Sequence, residues 1–274
     1  MSINVKKLDG TMQPYSQEKL RRSLVRAGAD RKTVNAIIRK VDRIIYDGIP
    51  TKELFRFVFK EFKKCYTHLS ARYDIKNAIL RLGPAGFAFE HLVAGVFEKK
   101  GYAVTTNQHV KGGLIDHEID VVATKGEQFL MVECKHHMRP WEGCSIQIAL
   151  YVRARFLDVS DTFTLPILVT NTKFSPQVLT YAKGVSIRLM GWNYPKDDSL
   201  EQNVTRFRLY PVTMLPALDM AMTKKLLDRH IVLLHTLSEM EEQQIAGLLD
   251  VSLAKAKSLR IQATDLCLPE RKEN

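Results

Sequence analysis

Three side chains decide how this sequence reads as chemistry: Asp120, Glu133 and Lys135. They lie in the stretch GGLIDHEIDVVATKGEQFLMVECK, residues 112–135. Ile119-Asp120-Val121-Val122-Ala123 is β-branched and apolar and predicts a strand. Lys125-Gly126-Glu127 predicts a hairpin turn, and residues 129–135 a second strand. Alternation places Phe129, Met131, Glu133 and Lys135 on one face and Leu130, Val132 and Cys134 on the other. A carboxylate and an ammonium therefore end an otherwise apolar strand, where a lone charge is expensive to bury. Asp120, on the partner strand, reaches Glu133 if the hairpin pairs in register. Two carboxylates beside an ammonium can hold Mg²⁺, a hard cation that prefers oxygen ligands and keeps several waters. Such an ion polarises a phosphodiester and activates water, while the ammonium meets the developing charge. The same tripeptide also closes edge strands as a surface ion pair, and spacing alone leaves that reading open.

The surrounding elements must hold these groups. Residues 87–100 predict an amphipathic helix with Phe89, Leu92, Val93, Val96 and Phe97 inward and Glu90 at its edge. Residues 101–106 predict a strand and 166–170 a buried one. Ser175-Pro176 caps a helix over 177–183, and 185–190 returns as a strand. Three strands, a helix before them and a helix–strand unit after them predict a mixed sheet with helices on its faces. His136 and His137 read as exposed loop histidines rather than a Zn²⁺ or Mn²⁺ pair, because neighbours on a strand point apart. Asp116 is the reserve metal ligand. Residues 193–202 predict a polar loop.

At these residues the chain resembles the PD-(D/E)xK nucleases and, among them, the Mrr-like restriction endonuclease domains. Asp120 and Glu133-x-Lys135 match the family's Asp and Glu-x-Lys. Glu90 matches the acid of the preceding helix, and Gln147 with Tyr151, in IQIALY, looks like the Gln-x-x-x-Tyr signature of some branches. Residues 167–192 resemble the closing strand–helix–strand. The likeness covers residues 83–192, with Ile119 standing where the strict motif has proline. It implies that Asp120 and Glu133 hold Mg²⁺ or Mn²⁺ and that Lys135 supports the attacking water or the transition-state charge. Glu90 would assist, and Gln147 would position metal, water or backbone. DNA is the implied substrate.

The chain has 274 residues and 26% charged side chains, ordinary for a globular protein. No apolar run approaches a membrane span, and MSINVKKLDG lacks the apolar core of a signal peptide. Four cysteines stand without Cys-x-x-Cys spacing, so neither a zinc site nor a disulfide framework is expected. A cytoplasmic protein with reduced thiols and no membrane contact follows. The net charge is +11, and residues 1–82 hold 19 Lys and Arg against 8 Asp and Glu, which is the whole excess. That asymmetry points to a polyphosphate or nucleic-acid partner; a solvated basic surface is the plainer alternative.

Within those 82 residues, Asn4–Lys7 predicts a strand and Asp9-Gly10 a turn. Ser16 caps a first helix, residues 30–46 form a second, and Asp47-Gly48 stops it. Pro50-Thr51 opens a third helix with Thr51 as cap, and residues 69–82 form a fourth. This order is similar to the ATP-cone, a nucleotide-binding regulatory domain. Val5-x-Lys7-x-Asp9-Gly10, Tyr15-x-x-x-Lys19-Leu20 and Tyr46-Asp47-Gly48-Ile49-Pro50-Thr51 carry the likeness over residues 3–82. It implies ATP or dATP as effector, with Lys7 and Lys19 on phosphates, Thr51 near the base, and Val5 in the same motif. Leu8 stands where the family often has Arg. No Gly-x-x-x-x-Gly-Lys-Ser/Thr loop occurs, so the nucleotide is expected as a switch rather than as fuel.

Residues 211–274 look like a pair of degenerate helix-hairpin-helix units. Leu218-Asp219-Met220 and Leu249-Asp250-Val251 stand where hairpin glycines belong, and an Asp repels a phosphate there. The tail is thus expected on a partner subunit rather than on DNA, with residues 269–274 frayed. The expected fold is α/β: a mainly helical ATP-cone-like domain (1–82), a restriction-endonuclease-like mixed sheet flanked by helices (83–210) and a small helical tail (211–274). The expected activity is metal-dependent DNA cleavage under adenine-nucleotide control in a homo-oligomer. A nucleotide-responsive DNA-binding regulator with an inactive nuclease fold and a Holliday-junction-resolving enzyme are the alternatives.

Overall fold

The computed structural model describes residues 3–66 and 70–268. The chain opens with β1 (Asn4–Lys6) and β2 (Met12–Pro14), antiparallel across a turn in which Gly10 takes φ 84°. Helices α1 (Gln17–Arg26) and α2 (Arg31–Ile44) follow. Ser16 and Asp30 cap them by accepting the N–H groups of Lys19 and Thr33. The stripe Val34, Ile37, Ile38 and Val41 is buried with Leu24, Val58 and Phe62. A two-residue strand that the sequence pattern does not announce, β3 (Ile49–Pro50), pairs parallel with β1. The carboxylate of Asp47 ties this turn down by accepting the Asn4 N–H at 2.7 Å. In α3 (Thr51–Cys65), Thr51 is the first helical residue after Pro50 and makes no capping hydrogen bond. The helix expected over 69–82 is two, α4 (Ser70–Tyr73) and α5 (Ile75–Leu80). Asp74 separates them, its carboxylate taken by Asn77 and Arg81. The expected first residue of that helix, Leu69, and the expected frayed end, 269–274, lie outside the described residues.

Next come α6 (Phe87–Lys99), β4 (Ala103–Lys111), β5 (Asp116–Lys125) and β6 (Gln128–Lys135). They are followed by β7 (Gly143–Cys144), α7 (Ile146–Asp158), β8 (Leu165–Thr170), β9 (Lys173–Phe174), α8 (Pro176–Gly184), β10 (Arg188–Met190) and α9 (Leu200–Phe207). The five-stranded sheet runs β10-β8-β6-β5-β4. Its β4–β5–β6 part is an antiparallel meander, and β8 and β10 run parallel to β6. Alternation along β6 sorts its side chains: Leu130 and Val132 pack beneath α6, Met131 beneath α7 and α8. The stretch expected as a polar loop ends in α9, which Ser199 and Gln202 start as a reciprocal cap.

The tail is a 3₁₀ turn (Val212–Met214) and helices α10 (Met220–Leu227), α11 (Leu234–Glu239), α12 (Glu242–Leu249) and α13 (Leu253–Cys267). The two aspartates at the expected hairpin positions have helix-end duties. Asp219 caps α10, and Asp250 ends α12 in the left-handed region at φ 59°. Leu234, Leu237, Leu249, Leu259 and Ala263 share one core with α6 and with Ala78 and Ile79 of α5. Arg72 of α4 donates to the carbonyls of Leu266 and Leu268, each at 2.8 Å. The tail thus packs on α4, α5 and α6 of its own chain. Among the described residues no helix is long and apolar enough to cross a membrane.

Candidate active site

Strands β5 and β6 stay paired from Lys125↔Gln128 to Val121↔Val132 and then part. Asp120 and Glu133 would form the next rung. Instead the Cys134 N–H donates to Asp120 Oδ2 at 2.7 Å. The β4–β5 ladder skips the same place: Thr106↔Val121 and Gln108↔Ile119 flank it, and Asn107 between them takes φ 52°. Strict alternation sends Ile119 and Val121 to one side. Here Val121 packs under α6 and Ile119 under α7, so β5 turns over at Asp120. The sheet opens where the acids stand. Asn tolerates a left-handed φ better than any β-branched residue. Asn107 is thus a positioning residue that the motif reading passed over; its signal was an Asn interrupting a threonine- and valine-rich strand.

Electrostatics gather around this opening. Burial pushes the Glu133 carboxyl up to about 7, and Asp120 adds to it while Arg155 and Lys135 pull the other way. Arg155 Nη1 donates to Glu133 Oε2 at 2.5 Å. That ion pair alone would hold the carboxyl low, so burial beside neighbouring carboxylates outweighs it. Glu90 also rises to about 7, by burial and then by Asp120 and Glu118. Asp120 is raised by burial, against the Cys134 N–H and Arg155. Lys135 Nζ makes no ion pair or hydrogen bond with a described residue, while its charge bears on Asp120 and Glu133. The structure thus brings Asp120, Glu133, Lys135 and Glu90 into one field.

Other expected residues stand elsewhere. Gln147 is exposed in the first turn of α7 and bonds to none of the described residues. Tyr151, one turn on, accepts a short hydrogen bond from Arg155, whose guanidinium lies 4.5 Å from the Tyr151 ring centre. Arg155 completes the spacing 147, 151, 155 along one helix face, a signal available in the sequence and not used. The histidines are not exposed loop residues. His136 Nε2 meets the Ile79 carbonyl at 2.9 Å, and the His137 backbone is clasped by Asn171. Asp116 is exposed beside Lys111 at the outer end of β5, and Glu118 is the further acid whose charge reaches Asp120. Gly86 leaves room for Glu90: a Cβ there would lie 2.7 Å from Glu90 Oε1.

No cluster of three or more His, Cys, Asp or Glu side chains occurs among the described residues as a metal cage. Mg²⁺ needs none, since it binds through one or two carboxylates and completes its shell with water and phosphate oxygens. Asp120 Oδ1 and Glu133 Oε1 are the carboxylate oxygens not engaged by Cys134 and Arg155. Raised carboxyl groups mark negative charge short of compensation, and the donors are all oxygen. The residues fit a hard divalent cation.

Three of the expected nucleotide residues line two adjoining cavities. Lys7 and Thr51 line a cavity of about 610 Å³. Lys7 and Lys19 line an adjoining one of about 620 Å³. Burial, and then Lys19, lower the Lys7 ammonium. The Val5 side chain is buried in β1 between Gln13 and Ile49 and lines neither cavity. Leu8 lines the first with its side chain largely exposed.

Three family descriptions match in chain order: ATP cone domain over residues 3–78, restriction endonuclease (Mrr type) over 84–193, and AF1548-like, C-terminal, over 210–267. An uncharacterized protein of Archaeoglobus fulgidus is 42% identical over 125 residues, covering 45% of this chain and 71% of that protein. The crystal structure of the protein of unknown function AF1548 superposes with a TM-score of 0.58 at 33% identity, over 66% of this chain and 97% of that one. MspJI restriction endonuclease, solved with a 27-mer oligonucleotide, overlaps at a TM-score of 0.30 and 13% identity over 75% of this chain and 38% of that one, too loosely to carry a likeness. The chain belongs to the AF1548-like proteins, as an ATP-cone domain joined to a Mrr-type restriction-endonuclease domain and the AF1548-like C-terminal domain.

Proposed function

We propose that the chain is a metal-dependent endodeoxyribonuclease that hydrolyses DNA phosphodiester bonds under the control of ATP or dATP. The observation that carries this is the parted rung at Asp120 and Glu133, with the Lys135 ammonium, which bonds to none of the described residues, bearing on both acids. Asp120 and Glu133 would hold the cation, Mg²⁺ or Mn²⁺. Bound there, it supplies Lewis-acid polarisation of a phosphoryl oxygen and lowers the pKa of a water. Lys135 steadies the attacking water and the charge that grows on the phosphoryl oxygens. Glu90, whose carboxyl burial and then Asp120 push up to about 7, can take a proton from that water at neutral pH. Gln147, on the exposed first turn of α7, would position water or the DNA backbone. The basic first 82 residues give DNA and nucleotide phosphates a sequence-independent attraction.

The test is cleavage of supercoiled and linear DNA with Mg²⁺ or Mn²⁺, each with and without ATP, for the parent and Lys135→Ala. Loss of cutting in the variant supports the assignment. A variant that cuts as well as the parent shows a contaminating activity and sinks it. The Arg155–Glu133 pair favours a second reading, a nucleotide-responsive DNA-binding regulator whose nuclease fold does not cut. Salt-dependent DNA binding with no metal-dependent product would select it. Four-way junctions among the substrates separate a junction resolvase, and light scattering with and without ATP reports whether copies assemble.

A further inference from the structure

The two cavities beside Lys7 are halves of one cleft. Both are lined by Lys7, Gln13, Lys76, Trp192 and Asn193. One wall is the β1–β2 hairpin with α1; the other is the nuclease-side segment that runs from Thr172 and Lys173 to Trp192 and Tyr194. The lining is cationic, with Asp9 and Glu201 as its acids. Both acids already make ion pairs across the cleft: Asp9 with Lys173 at 3.8 Å and Glu201 with Arg26 at 2.5 Å. Lys76 is different. Its ammonium lies 5.8 Å from the ring centre of Trp192, a side chain only 4% exposed, with no carboxylate at ion-pair distance among the described residues. Burial lowers it, Glu201 pulls it back, and Lys7 and Lys173 lower it further. A half-buried ammonium facing two others is an arrangement that a polyanion relieves.

We propose that this cleft is a polyphosphate site shared by the two domains. Lys7 and Lys19 from the ATP-cone side, Lys76 beneath and Lys173 from the nuclease side together hold the phosphates of a nucleoside triphosphate. The proposal rests on the nucleotide-binding reading above and adds the nuclease-side wall to it. A ligand seated there competes with Asp9 for Lys173. That matters because Lys173 follows three buried polar residues fastened to the end of β6. Thr170 Oγ1 donates to the Lys135 carbonyl at 2.8 Å, and Asn171 both accepts the His137 N–H at 2.8 Å and donates to the His137 carbonyl at 2.7 Å. Thr172 itself lines the cleft. The residue that meets phosphate and the strand that carries Lys135 thus share one short, buried segment.

Titration calorimetry on the full chain, with ATP and separately with inorganic triphosphate, tests this in the parent, Lys7→Ala, Lys173→Ala and Lys173→Arg. Lys173 has a side chain 63% exposed, so its replacement leaves the core alone. Each alanine should weaken ATP and triphosphate binding by about tenfold, the loss of one charge-assisted contact, and Lys173→Arg should recover most of it. Weakening by Lys7→Ala with parental affinity in Lys173→Ala overturns the shared site and leaves nucleotide binding standing. A parent that binds no ATP removes the nucleotide reading and the proposal together.

Discussion

The opening at Asp120 and the cleft at Lys7 would both meet phosphate under the proposed function, yet they are built on opposite plans. In the first, three carboxylates stand on packed elements: Asp120 and Glu133 on paired strands, Glu90 on a helix covered by the sheet. Burial lifts the proton affinity of all three, and the Asp120 charge adds to the rise at Glu90 and Glu133. In the second, the charges are ammonium groups on a hairpin (Lys7), two helix starts (Lys19, Lys76) and the two-residue strand β9 (Lys173), contributed from two sides of a cleft. A metal-centred reaction needs oxygens fixed to fractions of an ångström, which strands supply. A polyphosphate needs only enough positive charge within reach, which long lysine side chains supply. The contrast teaches that rigidity is placed where bonds would be made and adaptability where a ligand would be sensed.

That contrast can be broken from either side. The largest effect is expected from Asp120→Ala. It should lower DNA cleavage by roughly 10²–10³-fold or more while leaving ATP affinity unchanged by calorimetry; loss of both would mean the two regions are not separate. Next, Arg155→Ala leaves Glu133 buried without its ion-pair partner. It should cost about 3 kcal/mol in urea unfolding and move the onset of cleavage to higher pH, since Arg155 pulls the Glu133 carboxyl down.

The third expectation concerns pH. Glu133 and Glu90 bind protons more tightly folded than unfolded, rising from 4.5 to about 7. The folded state therefore holds more protons in that window, and stability without metal should fall as pH rises from about 4.5 to 7. Mg²⁺ should raise the melting temperature more at pH 8 than at pH 5.5; equal shifts would place the ion elsewhere. The smallest effect is at Asn107. Asn107→Val should cost about 1–2 kcal/mol for its left-handed backbone, while Asn107→Gly costs less and keeps cleavage. Equal losses would mean the Asn side chain, not its backbone, shapes the opening.

Convergence of Asp120, Glu133 and Lys135 was legible in the sequence because parity along a strand is a strong constraint and the hairpin turn fixes which rung is opposite which. Glu90 entered only through the family likeness, since helix pattern alone placed it at a solvated edge, while the helices with stripes such as Val34, Ile37, Ile38 and Val41 followed from period. The turning-over of β5 was not legible. It depends on Asn107 adopting φ 52° in a different strand, a cooperative event that neither stretch announces alone. Arg155 was missed because a single arginine on a helix is ordinarily solvated, and only the packing of α7 on the sheet brings it to Glu133. Asp219 and Asp250 were judged as failed hairpin glycines, when their work is to start and stop helices.

The core under α6 takes residues from α4 and α5, from the central sheet and from every helix of the tail. A scissors cut at residue 82 or 210 would follow the boundaries of motifs and slice through that single oily interior. Anyone isolating the restriction-endonuclease-like domain should carry Ala71–Leu82 and α10–α13 along with it, since the stretch that bears the motif and the smallest piece that stands alone are different lengths of chain.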